Sequence, residues 1–205
     1  MKDFKEVYVA TDDEKIKSVC DKLKMSVIMT SDKHKTGTDR VGEVARKIKA
    51  DLYVNIQGDE PLIDPVVIKS VIAPFVKHRG DIAVTNLMTQ IKRASDLLNS
   101  TVPKVVFNSK KEAVFLSRLP IPYPKNPNEA EYYKQVCVYG FTRQVLFNFC
   151  KLPRGPAEKA EDIELLRFIE NDIKVQMVEV CKDTVAVDTP VDLEMVKNIL
   201  TGNKS

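Results

Sequence analysis

Histidine is nearly missing from this chain, with only His34 and His78 among 205 residues. Neither belongs to a Ser/His/Asp or Cys/His arrangement, so hydrolysis through a histidine base has no support. Cysteine is scarce and scattered. Cys20, Cys137, Cys150 and Cys181 form no CxxC pair, and two histidines are too few to complete a zinc site with them. Reduced, mostly buried thiols in a cytoplasmic protein are the expectation. No apolar run reaches the roughly 18 residues of a membrane span, and residues 1–6 hold no apolar signal-peptide core. Net charge is only +3, with no Lys/Arg tract, which argues against nucleic acid as a partner. Internal repeats and low-complexity linkers are also missing, so residues 1–205 read as one domain.

What is present is the balance of a folded soluble domain, 43% hydrophobic and 30% charged. Strand-like runs at 6–10, 26–30 and 52–56 alternate with helix-like runs over about 13–23 and 41–48. In the first helix Ile16, Val19, Cys20 and Leu23 share a face. This rhythm implies βαβ crossovers and a mostly parallel sheet of α/β type. A helix over 65–78 and a strand over 82–87 continue it. Past residue 100 the character changes to short strands at 105–107, 113–118 and 135–141, which mark a sub-lobe over about 103–141. Within it the proline-rich segment 119–127 suits an exposed extended arm, either a substrate wall or a dimer contact. Helices over 142–150 and 157–171, a strand over 173–180 and a last helix after Pro190 close the chain.

The stretch Val54-Asn55-Ile56-Gln57-Gly58-Asp59-Glu60-Pro61 carries the sharpest chemical signal. A buried strand breaks at a glycine and delivers an acidic pair before a proline. Strand carboxyl ends are where ligands bind in such sheets, and a carboxylate there suits Mg²⁺ with substrate phosphates. The competing reading makes Asp59 a cap for residues 61–64. Asp188 repeats the pattern, after the strand-like run 184–187 and ahead of Pro190. It either shares a cation with Asp59 or, like Thr189, caps the last helix. Thr36, Gly37, Thr38 and Arg40 open a helix whose free N–H groups would hold an anion or a base edge, or are plain loop-to-helix chemistry. Arg118 ends a strand, facing an acidic substrate or solvent. Glu158, Glu161, Glu164 and Arg167 recur at helical spacing, which is expected to be a solvated row of i,i+3 and i,i+4 pairs.

Taken in order, Thr-Gly-Thr-Asp-Arg (36–40), Val-Asn-Ile-Gln-Gly-Asp-Glu-Pro (54–61), Phe-Leu-Ser-Arg-Leu-Pro-Ile-Pro-Tyr (115–123), Val-Tyr-Gly-Phe (138–141), Glu-Leu-Leu-Arg (164–167) and Val-Asp-Thr-Pro-Val-Asp-Leu (187–193) resemble the CMP-Kdo synthetases. These are 3-deoxy-manno-octulosonate cytidylyltransferases, which couple CTP to the sugar acid Kdo and release pyrophosphate, for lipopolysaccharide or capsule synthesis. The similarity extends over about residues 5–198. It implies a doubly wound fold of the nucleotide-diphospho-sugar transferase kind, with a small antiparallel sub-lobe for substrate and dimerisation. By resemblance Asp59 and Asp188 are Mg²⁺ ligands and the catalytic pair. Thr36, Gly37, Thr38, Arg40 and Gln57 match the nucleotide region. Arg118, Gln135, Tyr139, Glu158 and Glu161 match positions around a 2-keto-3-deoxy sugar acid. A homodimer with contacts in 117–141 is implied as well.

Two departures accompany the resemblance. Where the family commonly has histidine before a Gly-Ile-Tyr-Gly-type strand, this chain has Gln135, with Cys137 in place of the glycine. Gln still hydrogen-bonds a hydroxyl but carries no proton charge, which points toward a modified Kdo or another acid sugar as an alternative. The family's first strand and basic phosphate loop have no counterpart in the six residues ahead of Val7. A further alternative is therefore a partner-dependent or non-catalytic paralogue that binds nucleotide.

Overall fold

The computed structural model describes residues 4–78, 80–126, 129–182 and 185–202. Its first half alternates as the periodicity predicts: β1 (Val9–Thr11), α1 (Glu14–Lys22), β2 (Val27–Met29), α2 (Gly37–Lys47) and β3 (Leu52–Ile56). Asp13 caps α1 by accepting the Lys15 and Ile16 N–H groups, and Thr36 caps α2 by accepting that of Asp39. The helix expected over 65–78 is two short ones, α3 (Pro65–Ser70) and α4 (Ala73–Lys77). Pro74 in the first turn of α4 removes an N–H that a continuous helix needs.

Next come β4 (Val84–Gln90), α5 (Ala94–Leu98), β5 (Lys104–Phe107), β6 (Ala113–Ser117) and the ten-residue β7 (Tyr133–Thr142). The chain then forms α6 (Arg143–Phe149), α7 (Pro156–Glu161), α8 (Leu165–Ile169), β8 (Val175–Glu179) and α9 (Pro190–Thr201). The helix expected over 157–171 breaks at Asp162, which takes the left-handed conformation at φ 51°, one that Asp tolerates better than most residues. No helix among the described residues is long and apolar enough to cross a membrane. Two features of the sequence reading, Thr184 at the head of the strand-like run and Pro127 at the end of the arm, lie outside the described residues. Residues 185–188 are not a strand.

β7 organises the sheet. Residues 133–136 and 139–141 pair antiparallel with β4, and β8 joins the far side of β4 in parallel. The opposite edge of β7 is divided. Residues 138–142 pair with β3 and residues 133–134 with β5, both antiparallel. β6 closes that side against β5. Thus β3, β4, β5 and β8 share one direction while β7 and β6 run against them, so that among the described residues β4–β8 is the parallel pairing of this mixed sheet and its other pairings are antiparallel. β1 and β2 form a separate parallel pair.

Alternation along β7 supplies both faces. Val136 and Val138 pack with Val67, Ile68 and Val71 of the α3 side, whereas Tyr139 and Phe141 pack with α2, α6 and α8. Phe141, Phe149 and Phe168 form an aromatic column with centroid spacings of 5.8 and 4.7 Å. Each such side chain contributes roughly 1.5–3 kcal/mol by leaving water. Helices on both faces make the domain doubly wound.

Candidate active-site cleft

The divided edge of β7 creates the site. β3 ends and β5 begins along the same edge, so residues 135–137 between them face neither strand. The main chain spans this gap with Gln57 N–H to Cys137 O (3.0 Å) and Gln135 N–H to Pro103 O (3.0 Å). On the other edge the register with β4 shifts between Asn86 and Leu87, a bulge. The Cys137 N–H turns to the Glu60 carboxylate at 3.2 Å. A cleft of about 430 Å³ opens over this gap, within the usual range for small-molecule sites.

Its acidic end comes from the carboxyl end of β3 and the approach to α9. The Val187 N–H donates to the Asp59 carbonyl at 2.8 Å, which carries Asp188 to Asp59. Burial raises the Asp59 pKa, and the nearby Asp188 charge raises it further. Asp59 Oδ1 is buried with no hydrogen-bond partner. The capping alternatives fail for both residues. Asp64 caps α3, and Thr189 with Asp192 forms a reciprocal capping box on α9. Two hard oxygen donors, one of them buried and unsatisfied, are a fitting start for an Mg²⁺ site completed by water and phosphate oxygens. No cluster of three or more His, Cys, Asp or Glu side chains suited to a metal occurs among the described residues.

The wall at α2 is built by Glu164. Its carboxylate accepts the Thr38 N–H (2.9 Å) and Gln57 Nε2–H (3.0 Å), tying the start of a helix to the end of a strand. Burial raises its pKa against the effect of these donors. Gly37 leaves room for the Gln57 amide, since a Cβ would stand 2.7 Å from Gln57 Nε2 and would press on the end of that side chain. On the floor, Gln135 Nε2 donates to Tyr139 Oη at 3.0 Å. Burial pushes the Tyr139 hydroxyl and the Cys137 thiol well up. All four cysteines are free, though only Cys20 is buried and Cys181 is exposed.

Of the residues singled out from sequence, Thr36, Gly37, Gln57, Asp59, Arg118, Gln135, Tyr139 and Asp188 line the cleft. Four do not. Arg40 turns to β1 and β2, pairing with Asp12 at 3.0 Å and donating to Thr30 Oγ1. Thr38 is fully buried and meets the site through its main chain. Glu161 lies behind Arg118, accepting from Ser117 Oγ (2.7 Å) and the Arg118 N–H (2.9 Å). Glu158 is fully buried and bound to Arg167 and Arg154, at 2.6 and 3.1 Å. The expected solvated row of charges is corrected by this geometry. In one helix, residues 158 and 167 would be about 13.5 Å apart along the axis; the break at Asp162 folds them together, and Arg167 also reaches Asp39 at 3.0 Å.

Sequence reasoning passed over the basic wall of the cleft. Arg93 and Lys134 both pair with Asp96, at 2.9 and 3.6 Å, and all three line it with Lys35. The segment from 91 to 103, with only the five-residue α5 in it, has no periodicity to single it out. Only the position of Lys134 beside Gln135 was a local clue.

A family model described as "Cytidylyltransferase" matches residues 1–175. The 3-deoxy-manno-octulosonate cytidylyltransferase of Escherichia coli is 39% identical over 195 residues, covering 95% of this chain and 78% of that protein. That of Solibacter usitatus is 38% identical over 192 residues, covering 93% and 76%. An 8-amino-3,8-dideoxy-manno-octulosonate cytidylyltransferase of Shewanella pealeana is 35% identical over 203 residues, covering 98% and 83%. Among solved structures, CMP:2-keto-3-deoxy-manno-octonic acid synthetase complexed with CTP superposes with a TM-score of 0.89 at 37% identity, covering 97% of this chain and 82% of that one. The inositol-1-phosphate CTP transferase of T. maritima, at 15% identity, 96% and 75% coverage and a TM-score of 0.65, shares the fold.

Proposed function

This chain belongs to the cytidylyltransferase family, among the 3-deoxy-manno-octulosonate cytidylyltransferases, and we propose that it couples CTP to Kdo or a close 2-keto-3-deoxy sugar acid. The anomeric hydroxyl of the sugar attacks the α-phosphorus of CTP. An O–P bond forms, the bond to the β-phosphate oxygen breaks, the hydroxyl proton is lost, and pyrophosphate leaves. The observation that carries this reading is the Asp59–Asp188 pair at the carboxyl end of β3, in a cleft whose other walls carry Arg118, Lys134 and Gln135.

Asp59 and Asp188 would hold Mg²⁺, which when bound supplies charge neutralisation for the triphosphate. The chain's own residues do the positioning. Gln57 and the Thr36–Gly37 turn offer a base or ribose polar groups at the α2 wall, while Arg118 and the Gln135–Tyr139 pair offer donors to the sugar acid. Reaction geometry rather than a covalent nucleophile is the source of rate, as for phosphoryl transfer generally. No charged imidazole is needed, since Gln135 donates as a neutral amide. The same reading makes the protein a homodimer through residues 117–141 and places its work in the cytoplasm, in the supply of an activated sugar for lipopolysaccharide or capsule.

The test is pyrophosphate release with CTP, Mg²⁺ and either Kdo or its 8-amino analogue, comparing wild type with Asp59→Asn. Release that falls by about 100-fold or more in a folded variant supports the assignment, on the scale of losing a group that stabilises transition-state charge. Equal rates in the two proteins would remove Asp59 from the chemistry. Preference between the two sugars decides which acid the cleft takes.

A further inference from the structure

Lys104 opens β5 with a fully buried side chain, and among the described residues it meets no carboxylate. Its Nζ donates instead to three main-chain carbonyls, those of Asn99 (2.9 Å), Val102 (2.8 Å) and Arg118 (2.5 Å). Arg118, only half-buried, also turns to carbonyls. Its guanidinium donates to the carbonyls of Ser100 (2.9 Å), Glu161 (2.6 Å) and Asp162 (3.2 Å). The Glu161 carboxylate, which acts on Lys104 through its charge, is bonded to Ser117 Oγ and the Arg118 N–H rather than to either cation. Burial and the Arg118 charge both press on the ammonium.

A fully buried ammonium, held by carbonyl dipoles under the influence of the Arg118 charge, is an arrangement that an apolar residue at position 104 would avoid. Desolvated charge without a contacting counter-ion is favourable where an anion completes it. Arg118 faces the cleft and Lys104 stands behind it. The register places them by Lys134, three residues along β7 from Cys137 where the acidic end begins. The cleft is therefore polarised along β7, acidic toward Asp59 and Asp188 and basic toward Lys104 and Arg118.

We propose that Lys104 is a positioning residue for the carboxylate of the acid sugar. It clamps the loop 99–103 to the end of β6, so that Arg118 faces the cleft, and its charge biases that end toward an anion. The substrate's carboxylate is thereby turned away from the acidic pair. This rests on the function proposed above and deepens it by naming how the acid is told from a neutral sugar.

The experiment compares wild type with Lys104→Met, which removes the charge and the donors, and Lys104→Gln, which removes the charge and keeps two donors. Steady-state KM is measured for the sugar acid and for CTP, with the neutral C1-carboxamide of the sugar as a competing inhibitor. The expected result is a rise of about tenfold or more in sugar-acid KM for both variants, from loss of a unit charge near the carboxylate. CTP KM should stay unchanged, and the preference for acid over carboxamide should fall. An unchanged sugar-acid KM, an equal rise for CTP, or an unchanged preference would overturn the proposal, and so would failure of both variants to fold, which would make Lys104 a scaffold residue alone. A wild type that releases no pyrophosphate defeats the proposed function instead. Calorimetric binding of the sugar acid to wild type and Lys104→Gln then reads this inference separately, with equal affinities counting against it.

Discussion

At the scale of single residues, the position of a charge in sequence said little about its partner. Arg40 and Arg167 each follow a motif-like stretch, but Arg40 is drawn to Asp12 just after β1, and Arg167 bridges Glu158 and Asp39. Glu43 shows what such partners do to titration. Lys47, the Ser31 N–H and His34 hold its carboxyl at about 2. An unfolded Glu titrates near ~4.3, so the folded state binds fewer protons between these values. The contribution is therefore present above the unfolded value and is lost as pH falls from about 4 toward about 2. Thermal midpoints measured across that window should drop more steeply for wild type than for Glu43→Gln. Parallel acid limbs would show that Glu43 is not a source of the pH dependence.

Elements were legible wherever one stretch of chain specified its own state. Capping residues Asp13, Thr36, Asp64 and Thr189 mark helix starts that structure and sequence share. The breaks at Pro74 and Asp162 went unread because apolar periodicity runs across them. Packing between elements was not legible either. Gly42 on α2 lies against Cys150 after α6, where a Cβ would fall well inside contact distance of the sulfur. Gly42→Ala should cost about 1–3 kcal/mol by overpacking, read as a fall in urea midpoint. Adding Cys150→Ala, which removes that sulfur, should return most of the loss. A double variant no better than the single one would place the strain elsewhere.

For the whole molecule, the arm after β6 is one of the exposed apolar features that the domain's own core does not use. Leu119 and Tyr123 are 70% and 88% exposed, and neither joins either hydrophobic cluster. As part of the proposed homodimer contact they should be covered in solution. Sedimentation at micromolar concentration is expected to give a dimer for wild type and a shift toward monomer for the Leu119→Ser/Tyr123→Ser double variant. A wild-type monomer, or a dimer indifferent to these changes, would move the contact away from the arm.

The sequence alone determined the α/β rhythm, the turn chemistry and the two acidic positions after strand-like runs, because each depends on neighbours a few residues away. Resemblance then joined those pieces into a family. Only tertiary structure decided that β7 enters the sheet against its neighbours, that β3 and β5 share one of its edges, and that the cleft opens where they part. It also separated Asp59 and Asp188, which are brought together, from Glu158 and Arg40, which are bound elsewhere. Those outcomes depend on pairings such as Thr38 with Glu164 and Arg167 with Asp39, separated by 126 and 128 residues. Burial, not spacing, sets which such charge partners are worth keeping.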